Sequence, residues 1–284
     1  MDNNESKKNI FCVSIDGSIY SDYGFDITFS ELYKKGDRLE VVHIYNPEKT
    51  DLPYEAQPKT ILSKYTTICS GKFSNSDYDV IVTEKKSSDS HAIDALYSVA
   101  VKHSATAIVM GYQGYKVKDT QDHLSKGIIY MLRNISIPTF IIKECCFRNK
   151  KESGGFNWAV FIEDQDTKSY ASFQKAINFI HPNKDKVIGY SILNSKEEKR
   201  HNLEQDFKSI CETAKIKNFS FNIIEKTEDS IGKMMCDIVN FGNDNADFAV
   251  VGHNVAKYNQ INSSPTIDMI KNAQANIFYY SSSR

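Results

Sequence analysis

Short runs of β-branched and apolar residues alternate along this chain with longer stretches whose apolar positions recur every three or four residues, a pattern that predicts strands joined by crossover helices. In the first half the strands fall at Ile10–Ile15, Leu39–Tyr45, Asp79–Thr83, Ala107–Met110 and Thr139–Lys143. Helical periodicity fills the gaps near Ser21–Lys34, Gln57–Cys69, His91–Lys102 and Leu124–Arg133. The second half returns to the same order, with strands at Trp158–Ile162, Val187–Ile192, Phe219–Ile224, Phe248–Val251 and Ile277–Tyr280. Its helices fall near Ser169–Ile180, Glu197–Ala214, Ile231–Asn240 and Thr266–Asn272. The expected fold class is therefore α/β, built as two tandem doubly wound parallel five-stranded sheets of Rossmann-like type.

The repeat is visible in residues as well as in pattern. Gly111 follows Glu84-Lys85 by the same interval that separates Gly252 from Glu225-Lys226, and the segments ending in these glycines, Ala105–Gly111 and Ala246–Gly252, align without gaps. Further on, Arg133-Asn134 falls on Lys271-Asn272 after a slightly shorter loop. The hydrophilic stretch Arg148–Gly155 reads as a solvated linker. These boundaries give a disordered tail over 1–8, a first domain over 9–147, a linker over 148–156 and a second, more degenerate domain over 157–284.

Composition narrows the function. With 35 Lys+Arg against 36 Asp+Glu, the net charge of −1 provides no field to hold a polyanion, so nucleic acid and membrane surfaces are excluded as partners. Met1–Asn9 is polar and the apolar run behind it is too short for a secretory leader, and no stretch is long enough to span a membrane. The six cysteines show no CxxC pair, Cys145-Cys146 included, which points to a reducing, cytoplasmic compartment and against a metal site. No G-x-S-x-G, HExxH or Walker loop occurs, and the chain is read as non-enzymatic.

In an open parallel sheet a ligand sits beyond the carboxyl ends of the strands where their order reverses, which selects the loops after the first and fourth strands. The first carries Asp16-Gly17-Ser18, an acceptor carboxylate beside a glycine that tolerates positive φ. The second carries Gly111-Tyr112-Gln113-Gly114 and a polar loop to His123, then a helix opening near Ser125-Lys126 whose amides can face an anion. His43, inside a strand, reads as a packed or backbone-side histidine and not as a base, and Asp119, Asp122 and His123 read as loop polarity without the support a metal needs.

These residues resemble the universal stress protein family. Val13–Ser18 is similar to its first strand and turn, and Val41–Ile44 to its second strand. Ile108–Gly114 is similar to its fourth strand and glycine loop, and Met131–Asn134 with Ile137-Pro138 to its last helix and turn. The resemblance covers residues 9–143, and residues 157–280 through the internal repeat. It implies strand order 3-2-1-4-5 in each domain and dimerisation through fifth strands. In the ATP-binding branch, marked by Gly-x2-Gly-x9-Gly-(Ser/Thr), it implies that Asp16 and the backbone of Ile44 meet adenine, with Gly17 and Ser18 beside them. There the Gly111–Gly114 loop would hold ribose and phosphates. Counted back from Leu132-Arg133-Asn134, Ser125 stands at the last signature glycine and Lys126 at its Ser/Thr, with one residue too many after Gly114. Lys126 offers a point charge in partial compensation.

The second half departs further: Glu163 replaces Asp16, Asp164 and Asp166 add negative charge, Val255 replaces the second loop glycine, and Ser263-Ser264 ends the signature. Two functional readings follow. In the first, the chain is a protein-interaction or structural component of a larger cytoplasmic or cytoskeletal assembly, with a degraded nucleotide site and no cofactor. Its domains then pair with each other, or with a second copy, through fifth-strand residues Phe140, Ile142, Phe278 and Tyr280. In the second, domain one alone binds ATP or AMP as a stress-response regulator.

Overall fold

The computed structural model describes residues 8–86, 88–89, 91–114, 124–148, 154–163, 167–193, 200–227, 230–242, 245–252 and 264–281. Asp119, Asp122, His123, Ser153, Asp164, Asp166, Val255 and Ser263 lie outside the described residues. The chain divides into two compact units, one of residues 1–119 and 125–131 and the other of residues 120–124 and 132–284.

Unit 1 holds β1 (Ile10–Ser14), α1 (Ile19–Ile27), β2 (Arg38–Tyr45), α2 (Pro58–Ser70), β3 (Tyr78–Glu84), α3 (Ala92–Lys102), β4 (Ala107–Gly111) and the start of α4 (Lys126–Asn134). Its strands pair in parallel in the order β3-β2-β1-β4, with Val13 opposite Val41 on one side and Val109 on the other. Phe11, Cys12, Val13, Val41, Val42, Ile108 and Val109 are buried, as expected for strands covered by helices on both faces. Each helix starts at a local signal. Ser18 caps α1 by accepting from the Ser21 amide, Pro58 occupies the first turn of α2, and His91 and Asp94 form a capping box on α3.

Helix α1 is shorter than the periodicity predicts. It gives way after Ile27 to a π-helical turn, Thr28–Leu32, where the Thr28 hydroxyl donates to the Gly24 carbonyl at 2.7 Å and competes with the regular ladder.

Unit 2 holds β5 (Thr139–Ile142), β6 (Asn157–Phe161), α5 (Thr167–Ala176), β7 (Lys186–Leu193), α6 (Arg200–Thr213), β8 (Asn218–Glu225), α7 (Ile231–Phe241), β9 (Phe248–Gly252), α8 (Pro265–Asn272) and β10 (Asn276–Tyr280). The second repeat shows parallel order β8-β7-β6-β9-β10, which is 3-2-1-4-5. The fold is thus α/β and doubly wound, as expected. On its free side β10 pairs antiparallel with β5, Phe278 opposite Phe140 and Ile277 opposite Ile141. This pairing, with the Tyr279 hydroxyl donating to the Leu132 carbonyl at 3.0 Å, draws the end of the first repeat into unit 2. Phe140, Ile142 and Phe278 are buried, while Tyr280 at the strand end is half-buried with its ring 5.6 Å from the Lys175 ammonium.

The division therefore falls inside α4, ahead of the hydrophilic stretch at 148–156. That stretch is not simply solvated at its ends. Arg148 is 8% exposed and Phe156 fully buried. The Arg148 guanidinium grips the buried Asp185 carboxylate through Nε and Nη2, each at 2.8 Å, and lies 4.2 Å from the centre of the Phe156 ring.

Candidate functional site

The carboxyl ends of β1, β2 and β4 open into a cleft of two adjoining compartments, both walled by Asp16, Ile44 and Ala92. The smaller, about 220 Å³, lies over β1 and β4 and is lined further by Ser14, Met110, Gln113, Gly114, Ser125 and Gly127. The larger, about 350 Å³, lies over the ends of β2 and β3, with His43, Tyr45, Lys49, Lys85 and His91 in its walls. This is where the strand order reverses, the place a doubly wound sheet offers a ligand.

The loop after β1 is built by its own hydrogen bonds. Asp16 Oδ1 accepts from the Ser18 amide at 3.0 Å, and the Ser18 hydroxyl donates to the Gln113 carbonyl at 3.1 Å, tying the β1 loop to the β4 loop. Gly17 takes φ +84°, and a Cβ there would stand 2.8 Å from the backbone of Ala56, so conformation and space both require glycine.

Gly111 has a packing role. A Cβ on it would meet the Tyr20 Cβ at 2.7 Å and the Ser21 amide nitrogen at 2.8 Å, so the missing side chain lets α1 cross the end of β4. Gly252 plays the same part in unit 2, where a Cβ would stand 2.8 Å from the Lys168 carbonyl oxygen and 2.9 Å from the Ser172 hydroxyl. Gly111→Val is accordingly expected to destabilise unit 1 by about 1–3 kcal/mol through overpacking, read as a lower urea midpoint at unchanged slope. Gly114 is the glycine that meets the site itself: a Cβ there would stand 2.6 Å from Oδ2 of Asp16.

Helix α4 opens at the cleft. Ser125 caps it, its hydroxyl accepting from the Ile128 amide at 3.2 Å, and Lys126 is the first helical residue. Ser125, read at the signature's last glycine, thus carries a side chain that caps the helix, and Lys126, read at its Ser/Thr, opens it. Lys126 is exposed, while Ser125 and Gly127 on either side of it line the cavity.

Sequence reasoning placed Asp16, Ile44, Gly114 and Ser125 in one cleft, and the structure brings them together. It missed Lys49, Lys85 and His91, although Lys85 directly follows β3 and the strand-end rule that selected the other two loops reaches it as well. His43 is packed, and its Nδ1 stands 2.7 Å from the Ile15 carbonyl oxygen. It is also a wall of the larger compartment. Burial holds its pKa below the ordinary histidine value against the opposing pull of the Ile15 carbonyl and Asp16.

In unit 2, Glu163 is exposed, and its amide donates to the Ser169 hydroxyl at 3.2 Å, as the Asp16 amide does to Ser21 at 3.4 Å. There the Thr266 hydroxyl of α8 donates to the Gly252 carbonyl at 3.1 Å, joining the helix start to the strand end. Among the described residues no group of three or more His, Cys, Asp or Glu side chains is placed to hold a metal ion. Among them, too, no helix is long and apolar enough to cross a membrane.

No protein-family model matches the sequence and no curated protein matches it. Solved structures do. A universal stress protein from Archaeoglobus fulgidus DSM 4304 superposes with a TM-score of 0.65 over 98% of this chain and 100% of its own, at 12% identity. A protein from Pseudomonas aeruginosa UCBPP-PA14 described as a candidate universal stress protein gives 0.61 over 98% and 95%, at 10% identity. The chain has the universal stress protein fold in two copies. A functionally unknown protein from Pseudomonas aeruginosa PAO1 shares it, with a TM-score of 0.61 over 99% and 95% of the two chains and 9% identity. At such identities the universal stress protein likeness speaks for architecture, and the site must speak for function.

Proposed function

We propose that the chain is a non-enzymatic cytoplasmic regulator in which unit 1 binds an adenine nucleotide, ATP or AMP, while unit 2 serves as its structural and protein-interacting half. The observation that carries this reading is the cleft of unit 1, where Asp16, the Ile44 segment, Gly114 and the capped start of α4 line one cavity. The carboxylate and the Ile44 backbone suit the donors and acceptors of a base or ribose. Helix α4 presents its amino-terminal end, favourable to phosphate. Lys49 and Lys85 add positive charge to the neighbouring compartment. Of the two readings drawn from the sequence, the open cleft supports the nucleotide for unit 1, and the Thr266–Gly252 bond supports a structural role for unit 2.

Titration of ATP or AMP into the full chain is expected to raise its melting temperature by several degrees at saturating ligand, since a ligand at a hundredfold its Kd stabilises by about 2.7 kcal/mol. Gly114→Val is expected to abolish the rise, because its side chain displaces the Asp16 carboxylate. No thermal shift at millimolar nucleotide would remove the proposal.

A further inference from the structure

The two compartments of the cleft differ in charge. Among the described residues, the smaller is walled by one charged side chain, Asp16, which it shares with the larger. The larger adds Lys49 and Lys85, with His91 beside them. Lys49 is exposed and Lys85 half-buried, so a ligand in the compartment can reach both. Their backbones are fixed: the Lys85 amide donates to the Tyr45 carbonyl at 2.8 Å, one step beyond the end of β3, and the Lys49 amide closes a turn after β2 on the Asn46 carbonyl at 3.1 Å. The carboxylates near Lys85 in the chain serve other donors. Glu84 accepts from the Tyr45 hydroxyl at 2.8 Å, Asp89 from the Lys86 amide at 2.8 Å and Asp94 from the His91 amide at 2.7 Å. Among the described residues Lys85 makes no ion pair. Ala92, the first residue of α3, walls both compartments, so the amino-terminal end of that helix opens onto the same space. Two lysines and a helix start around one cavity suit a phosphate group. Size points the same way: at about 220 Å³ the smaller compartment lies below the roughly 300–1,000 Å³ of ordinary small-molecule sites, so a nucleotide that enters it extends into the larger.

We infer that the larger compartment is a second phosphate subsite, and that the nucleotide of unit 1 is one phosphorylated on its ribose, at the 2′ or 3′ position, as well as at its 5′ end. The inference rests on the nucleotide reading above and names the class of nucleotide. With the 5′ phosphate at the start of α4, Asp16 at the junction of the compartments receives donors of the ribose or base, and the ribose phosphate reaches Lys49 and Lys85. A nucleotide whose ribose carries hydroxyls alone leaves that positive charge unanswered. A base seated in the larger compartment instead would gain nothing from a second phosphate.

The test is calorimetric titration of the full chain with AMP, ADP, adenosine 2′,5′-bisphosphate and adenosine 3′,5′-bisphosphate. One of the two bisphosphates is expected to bind about ten- to a hundredfold more tightly than AMP, and more tightly than ADP, which carries its second phosphate at the 5′ end. Lys85→Met, which keeps the aliphatic stem, is expected to reduce that bisphosphate's advantage over AMP about tenfold. Lys49→Met combined with it is expected to remove the advantage, while the ratio of ADP to AMP affinity stays at its wild-type value. Bisphosphates that bind no more tightly than ADP, or an advantage over AMP that survives both substitutions, overturn the inference and leave the nucleotide reading standing. Failure of all four compounds and of ATP to bind overturns that reading, and the inference with it.

Discussion

Arg148→Ala is expected to lower the unfolding free energy of unit 2 by about 3–5 kcal/mol, because it strands a buried carboxylate without its counter-charge. Asp185 is fully buried, and five donors converge on its two oxygens. Oδ1 receives Arg148 Nε at 2.8 Å and the Phe156 amide at 3.0 Å. Oδ2 receives Arg148 Nη2 at 2.8 Å, the His181 amide at 2.8 Å and the Trp158 indole at 3.1 Å. Removing the arginine leaves three neutral donors to hold a charge with no water around it. Denaturant unfolding followed by the fluorescence of Trp158, the only tryptophan in the chain, reads this unit directly. A loss below about 1 kcal/mol would show the pair to be ordinary surface electrostatics.

The same group fixes a pH dependence. Burial alone would raise the Asp185 pKa, but the Arg148 bonds and charge, with the His181 and Phe156 amides, outweigh it and hold the carboxyl below its ordinary value. A carboxyl lowered on folding contributes stability that is fully present above its unfolded value of about 3.9 and is lost as pH falls through the folded value. The stability gap between the wild-type chain and Asp185→Asn is therefore expected to be constant from neutral pH down to about 4 and to narrow below it. A gap that widened in acid would contradict the assignment.

This cluster also marks where sequence reading stops. Every strand was legible, because runs such as Phe11–Val13 and Phe248–Val251 are apolar on both faces and the helices between them carry period and caps. The cleft was half legible. Asp16 and Gly114 follow from the strand-end rule, yet the separate duties of Gly111 and Gly114 depend on which chain segment passes within 3 Å of each, and spacing does not encode that. That Ser125 caps α4 depends on where the helix starts, which the spacing from Gly114 does not encode. Asp185 lies between Lys184 and Lys186, and Arg148 opens a run of charge, so local composition reads both as solvated. Only a contact across 37 positions makes them a buried pair. His43 shows the same limit: its strand position is local information, whereas the approach of its Nδ1 to the Ile15 carbonyl oxygen depends on the neighbouring strand.

Phe140→Ala is the second large effect, expected at about 3–5 kcal/mol. The ring is fully buried and has aromatic neighbours on several sides, Phe278 at 4.9 Å, Phe179 at 5.1 Å and Phe248 at 5.9 Å between centroids. Phe248 in turn stacks on Trp158 at 4.6 Å. The first-repeat residue Phe140 thus belongs to the core that the tryptophan reports on, and its truncation opens a cavity that fixed edge-to-face neighbours cannot refill. The expected result is a Trp158 transition shifted to lower denaturant. An unmoved Trp158 transition would place β5 outside the cooperative unit of the second repeat. Ile142→Val, on the same strand, removes a single methylene from a buried site and is expected to cost only about 0.5–1.5 kcal/mol, so the contrast between the two variants separates the aromatic cluster from the strand pairing that both share.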